Sequence, residues 1–219
     1  MERTGFFIMN IIASTHINQK KKNRIQVIEK NYNIIILTIL IVFGIILGTI
    51  IISKTSIEFN NSINVLYDNL VASIKGKSFF SIFFDTFFSS MVYIFLFFIM
   101  GTNAIGVPFI YFLTCIKGIG NGITSGYLYM SFGLQGVGFS TLVLFPYALM
   151  SGVIVILMGN SSIKMSKYIF SGLNGKLINN NEIKIKKYCV NFLIYTALFI
   201  TASIIDAIFK SSFSGAFGI

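Results

Sequence analysis

Chemistry inside a lipid bilayer needs a nucleophile with a base, or a set of metal ligands, held at depth. Few residues of this 219-residue chain qualify. Its single histidine, His16, lies in a polar N-terminal stretch, no HExxH or paired acids occur in an apolar run, and Thr124-Ser125-Gly126 has no base near it in sequence. Cys115 and Cys189 have neither CxxC nor Cys/His spacing, so they read as small hydrophobes rather than a disulfide or a metal site. Gly76-Lys77-Ser78 resembles the end of a phosphate loop, but Val71 stands where its first glycine would be. No catalytic residue, metal ligand or cofactor is therefore expected, and the chain reads as a non-enzyme.

The ionisable residues within apolar runs are Asp85, Lys117 and Asp206. Such groups are costly in a membrane and are expected to face a partner. Lys117 is expected to pair with Asp85, or less favourably with Asp206. The alternative is that both carboxylates are wetted at the interface and only Lys117 is constrained.

Lys117 sits in the stretch Gly101 to Gly126, GTNAIGVPFIYFLTCIKGIGNGITSG, with six glycines and a proline. Gly118, Gly122 and Gly126 recur every four residues, the spacing that lets a second helix backbone come close. Two readings compete: a close-packed seam, for this bundle or for a partner's transmembrane helix, and a broken helix lining a substrate path. The seam is preferred, because only Lys117 and Asn121 nearby offer groups that coordinate a solute. Gly44 and Gly48 repeat the spacing in the first apolar run. Pro108 falls in the opening turns of its helix, where a missing N–H is tolerated, whereas Pro146 is expected to kink the next span and free the carbonyl near Leu142.

These residues need an all-α, polytopic membrane bundle to hold them. Hydrophobic residues make up 55% of the chain and charged ones 11%, against roughly 25% charged in a soluble domain. Five spans are expected, at about 33–53, 80–100, 104–130, 138–158 and 188–209. They make a membrane domain over 33–210, between a basic tail (1–32) and a short external tail (211–219). The first strong apolar run starts at Ile34 after a long polar lead, which argues against a cleaved signal peptide. The segment Lys54 to Ser78 has Ile63, Leu66, Leu70 and Ile74 at helical spacing, as in an amphipathic helix on the outer surface.

The net charge of +10 is concentrated before the first run and in the Lys- and Asn-rich stretch Asn160 to Lys187. Four spans separate the two segments, so both fall on one side, which then holds twelve Lys and Arg against four opposite. That distribution predicts a cytoplasmic N-terminus, an external C-terminus and contact with anionic lipid rather than nucleic acid.

The ordered set Gly101, Ile105-Gly106-x-Pro108, Lys117-Gly118, Gly122, Gly126, Gly133-x-x-Gly136 and Pro146 resembles the stage II sporulation protein M family. The resemblance covers about Ile82 to Phe170; the tail, the outer segment and the Lys/Asn-rich loop match in character only, and Ser171 to Lys187 is longer and more polar. It implies a non-enzymatic membrane scaffold at the cell membrane, and at the septal membrane of sporulating cells. There it would work with two membrane-anchored peptidoglycan hydrolases in engulfment of the forespore. The competing class is a transport protein, the membrane subunit of an exporter or a small permease, with Lys117 and the Pro146 kink on a path. Five spans give no inverted repeat to support that class.

Overall fold

The computed structural model describes residues 31–54, 78–173 and 181–213. The basic tail before residue 31, the outer amphipathic segment over 55–77, Lys176 and the C-terminal tail from 214 lie outside the described residues. Everything described is helix or short connection. The helices are α1 (Asn31–Ser53), α2 (Phe79–Thr102), α3 (Gly106–Phe139), α4 (Phe145–Leu173) and α5 (Asn181–Phe213), with a π-helical segment, Ser140–Leu144, between α3 and α4.

Side-chain pairings give the direction of each helix. Ile41, Ile45 and Thr49 meet Gly118, Gly122 and Gly126 in order, so α1 and α3 run parallel. Thr86 meets Asp206 while Phe98 stacks on Tyr188, so α2 and α5 are antiparallel. Ser90 pairs with Tyr147 and the Phe97 carbonyl with Ser162, so α4 runs with α2. The helices therefore alternate in direction. Lys167 near the end of α4 donates to Asn33 at the start of α1 (3.3 Å), which puts the end of α4 and the start of α1 at one end of the bundle.

One apolar core joins all five helices: Leu37 and Ile41 from α1, Ile94 and Phe97 from α2, Ile110 from α3, Ile154, Val155 and Met158 from α4, Phe192 and Phe199 from α5. The outer faces are also apolar, with Phe80, Phe84, Phe88 and Phe95 of α2 all exposed. Helices apolar on both faces are suited to lipid. Four stretches are long and apolar enough to cross a membrane: Asn31–Ser53, Phe79–Thr102, Gly136–Leu173 and Lys184–Ser212. The first part of α3 is not among them, since its glycines, tyrosines, Lys117 and Asn121 dilute its apolar residues.

Two local features differ from the expectations. The fourth helix does not stop near residue 158; α4 continues to Leu173, burying Ser162, Ile163, Met165 and Ser166. With α5 starting at Asn181, the expected polar loop Asn160 to Lys187 is mostly helix. At 29 and 33 residues, α4 and α5 are about 44 and 50 Å long, against a hydrocarbon core of about 30 Å. A polar composition marks where a helix leaves lipid, not where it ends.

Pro146 lies within the continuous helical run Gly136–Leu173, directly after the π-helical segment. The wider turn of Ser140–Leu144 ahead of it absorbs the hydrogen bond that its ring nitrogen cannot make.

The chain reverses at Gly133, the first glycine of Gly133-x-x-Gly136, where φ is +54° and ψ is −129° inside an otherwise helical run. That conformation is strained for any residue with a Cβ, although there is open space around the position. Gly133→Ala is therefore expected to destabilise the purified protein by about 1–3 kcal/mol through backbone strain alone. A detergent melting curve checks this, and an unchanged midpoint would contradict it.

Candidate functional site

Two constellations cross the bundle: a glycine seam and a buried charge cluster. In the seam, Gly44 and Gly48 of α1 face Gly118 and Gly122 of α3. A Cβ built on Gly118 would strike the Ile41 carbonyl and one on Gly122 the Ile45 carbonyl, closer than real side chains come to backbone. Gly126 is looser, with Thr49 Cα at 3.4 Å, and Gly120 has nothing within 4 Å. Without a hydrophobic drive between helices in lipid, such close approach maximises dispersion contact. The groove is filled by the chain's own α1, so it is not open to a partner's helix.

Two further residues shape the start of α3. Gly106 follows the bend after α2, where its N–H donates to the Asn103 carbonyl (3.1 Å) and a Cβ would strike the Met100 carbonyl. Pro108 comes next in the first turn, where its nitrogen owes no intrahelical bond.

The seam orients Lys117. With Gly118 turned to α1, the preceding residue is rotated by about 100° and points across the bundle. Its ammonium lies 4.8 Å from the Tyr93 ring centroid and 5.6 Å from that of Tyr147. These faces attract the cation without a formal charge.

Asp206 is the carboxylate of this cluster. It is 1% exposed, not wetted at an interface. Its Oδ2 accepts from Thr86 Oγ1 (2.7 Å) and pairs with Lys210 Nζ (2.7 Å) one turn along α5. Lys117 feels the same carboxylate through space, and Lys210 also lies 6.0 Å from the Tyr147 ring centroid. Tyr147 OH and Ser90 Oγ are 2.9 Å apart, and Ser90 donates to the Thr86 carbonyl. One carboxylate and two ammoniums thereby join α2, α3, α4 and α5. Asp206 Oδ1 and Ser203 Oγ are buried without a hydrogen-bond partner among the described residues.

Asp85, the favoured partner of Lys117 in the sequence, sits on the exposed side of α2 beside the buried Thr86. The cluster is organised on Asp206 instead, because α5 and not the outer face of α2 lies across from α3's lysine. Sequence reasoning missed Thr86, Ser90, Tyr93, Tyr147 and Lys210. One signal was available: Asp206 and Lys210 are four apart with the acid first, the favoured order for a helical ion pair.

A second polar set closes the opposite end. Ser162 donates to the Phe97 carbonyl (2.9 Å), Tyr188 to that of Phe98 (3.0 Å) and Ser166 to that of Asn103 (2.7 Å). These bonds clip the end of α2 to α4 and α5. Among the described residues, no three of His, Cys, Asp and Glu come together as metal ligands would.

Two outcomes test these assignments. Gly122→Ala is expected to destabilise the bundle by about 1–3 kcal/mol through overpacking while Gly120→Ala is tolerated, as judged by paired thermal melts in detergent. Asp206→Asn removes the buried counter-charge of the half-buried Lys117 and Lys210 and is expected to cost about 3 kcal/mol. The same change at exposed Asp85 should cost less, and equal losses would argue against a cluster centred on Asp206.

The description stage II sporulation protein M belongs to the family whose model matches residues 36–209 of this chain. No curated protein and no solved structure matches it significantly. The family match spans far more than half of the chain and takes in all five helices, so the protein belongs to the stage II sporulation protein M family.

Proposed function

We propose that the protein is a non-enzymatic integral membrane scaffold of a sporulation engulfment complex, positioning membrane-anchored peptidoglycan hydrolases at the septal membrane. The observation that carries this reading is the family match across residues 36–209. In this reading the chain crosses the cell membrane five times, with its N-terminus cytoplasmic and its C-terminus external. Support comes from the alternating helix directions and from the contact between Lys167 and Asn33, which puts the lysines near the end of α4 beside the start of α1, as the positive-inside rule requires. The parallel course of α1 and α3 supports a third crossing, despite the lower apolarity of α3.

The polar interior is consistent with a framework role. Asp206, Lys210, Lys117 and the tyrosines hold neighbouring helices at fixed positions, and the seam holds α1. Partners then meet other surfaces: the segment between α1 and α2 on the wall side, and the lipid-facing helix flanks. Anionic lipid gathers at the basic end. A transport role, as exporter subunit or small permease, has one observation in its favour, the buried Lys117–Asp206 cluster.

A fluorescent fusion in sporulating cells is expected to collect at the polar septum, and deletion is expected to halt engulfment. Uniform membrane signal with normal engulfment would refute the scaffold reading. Solute flux in reconstituted vesicles that vanishes with Lys117→Met would favour transport instead.

A further inference from the structure

At the basic end, α4 and α5 part to leave a cavity of about 270 Å³. That is near the lower end of the range for small-ligand sites, roughly 300–1,000 Å³. Lys164 from α4 and Lys184 and Lys187 from α5 line it, with Tyr168 and Asn191 beside them and the buried Tyr188 at its base. No carboxylate is among its described lining residues. Lys184 Nζ lies 4.1 Å from the Tyr168 ring centroid, which holds one ammonium over the cavity.

Three exposed ammoniums around one concavity repel each other modestly through water, and an anion between them relieves that cost. A second cost points the same way. Lys184 and Lys187 occupy the first two turns of α5, the end of a helix where its aligned amides disfavour cations and favour anions. Depth narrows the ligand further: the apolar run of α5 begins at Tyr188, directly after Lys187, so the cavity sits at the level where lipid headgroups meet water.

We propose that this cavity binds a phosphate ester, its phosphate held by Lys164, Lys184 and Lys187 and its polar substituent reached by Asn191. The placement at headgroup depth rests on the membrane reading above, but binding by purified protein is measured without any role in engulfment. Failure of one is thus distinguishable from failure of the other.

The full chain in a non-ionic detergent would be examined by native mass spectrometry with phosphatidylglycerol or phosphatidylcholine, and by calorimetry with glycerol phosphate. Phosphatidylglycerol is expected to bind in preference to phosphatidylcholine. The double variant Lys184→Gln/Lys187→Gln should bind it at least roughly tenfold more weakly. Lys184→Arg/Lys187→Arg, which keeps the charge, and Lys54→Gln, outside the cavity, should bind as the unaltered chain does. Glycerol phosphate binding with the same lysine dependence would assign a soluble ester, and lipid binding alone would assign the headgroup. Equal binding by the unaltered chain and the double glutamine variant, or no binding of either ligand by the unaltered chain, overturns the proposal.

Discussion

Two helix backbones come closer here than side chains ordinarily permit, and much of the bundle follows from it. Gly44 and Gly48 against Gly118 and Gly122 set both the parallel course and the axial register of α1 and α3. A shift of one residue would put bulkier neighbours of these glycines, such as Phe43, Ile45 or Ile119, against the opposing backbone. With register set, Lys117 has one direction left to it, toward Tyr93, Tyr147 and the Asp206 carboxylate. A packing constraint at one face of α3 thereby becomes an electrostatic constraint at the next.

The charge cluster carries that constraint to the other helices. A carboxylate buried to 1% exposure is retained only where partners offset its lost hydration, and Thr86 and Lys210 both bind the same oxygen. Ser162, Ser166 and Tyr188 act similarly at the other end through neutral hydrogen bonds to main-chain carbonyls. Bundles in lipid gain little from apolar burial between helices, so specificity comes from such polar contacts and from close packing. A framework built this way can present partner surfaces at fixed positions, as the proposed scaffold role requires.

The long extensions of α4 and α5 give this architecture a distinct basic end. Their lysines lie on rigid helices rather than on a loose loop, and Lys167 reaches α1. Charges fixed in this way can select a ligand by geometry, whereas charges on a flexible loop attract anions without discriminating among them.

The amino-acid sequence alone determined the class, the run of apolar helices, the turn at Gly133 and the family. It could do so because hydropathy, glycine spacing and proline position act locally, and lipid enforces them without regard to tertiary detail. The glycine repeats of α1 and α3 were each visible, but nothing local said that they met each other. The extension of α4 beyond its apolar run was not legible locally, because Ser162 and Ser166 look polar in sequence yet are buried against α2. The partner of Lys117 was decided only by the tertiary structure, for a related reason. Asp85 and Asp206 are chemically equivalent candidates along the chain, and only the rotation of α2 and α5 about their axes turns one outward and the other into the bundle.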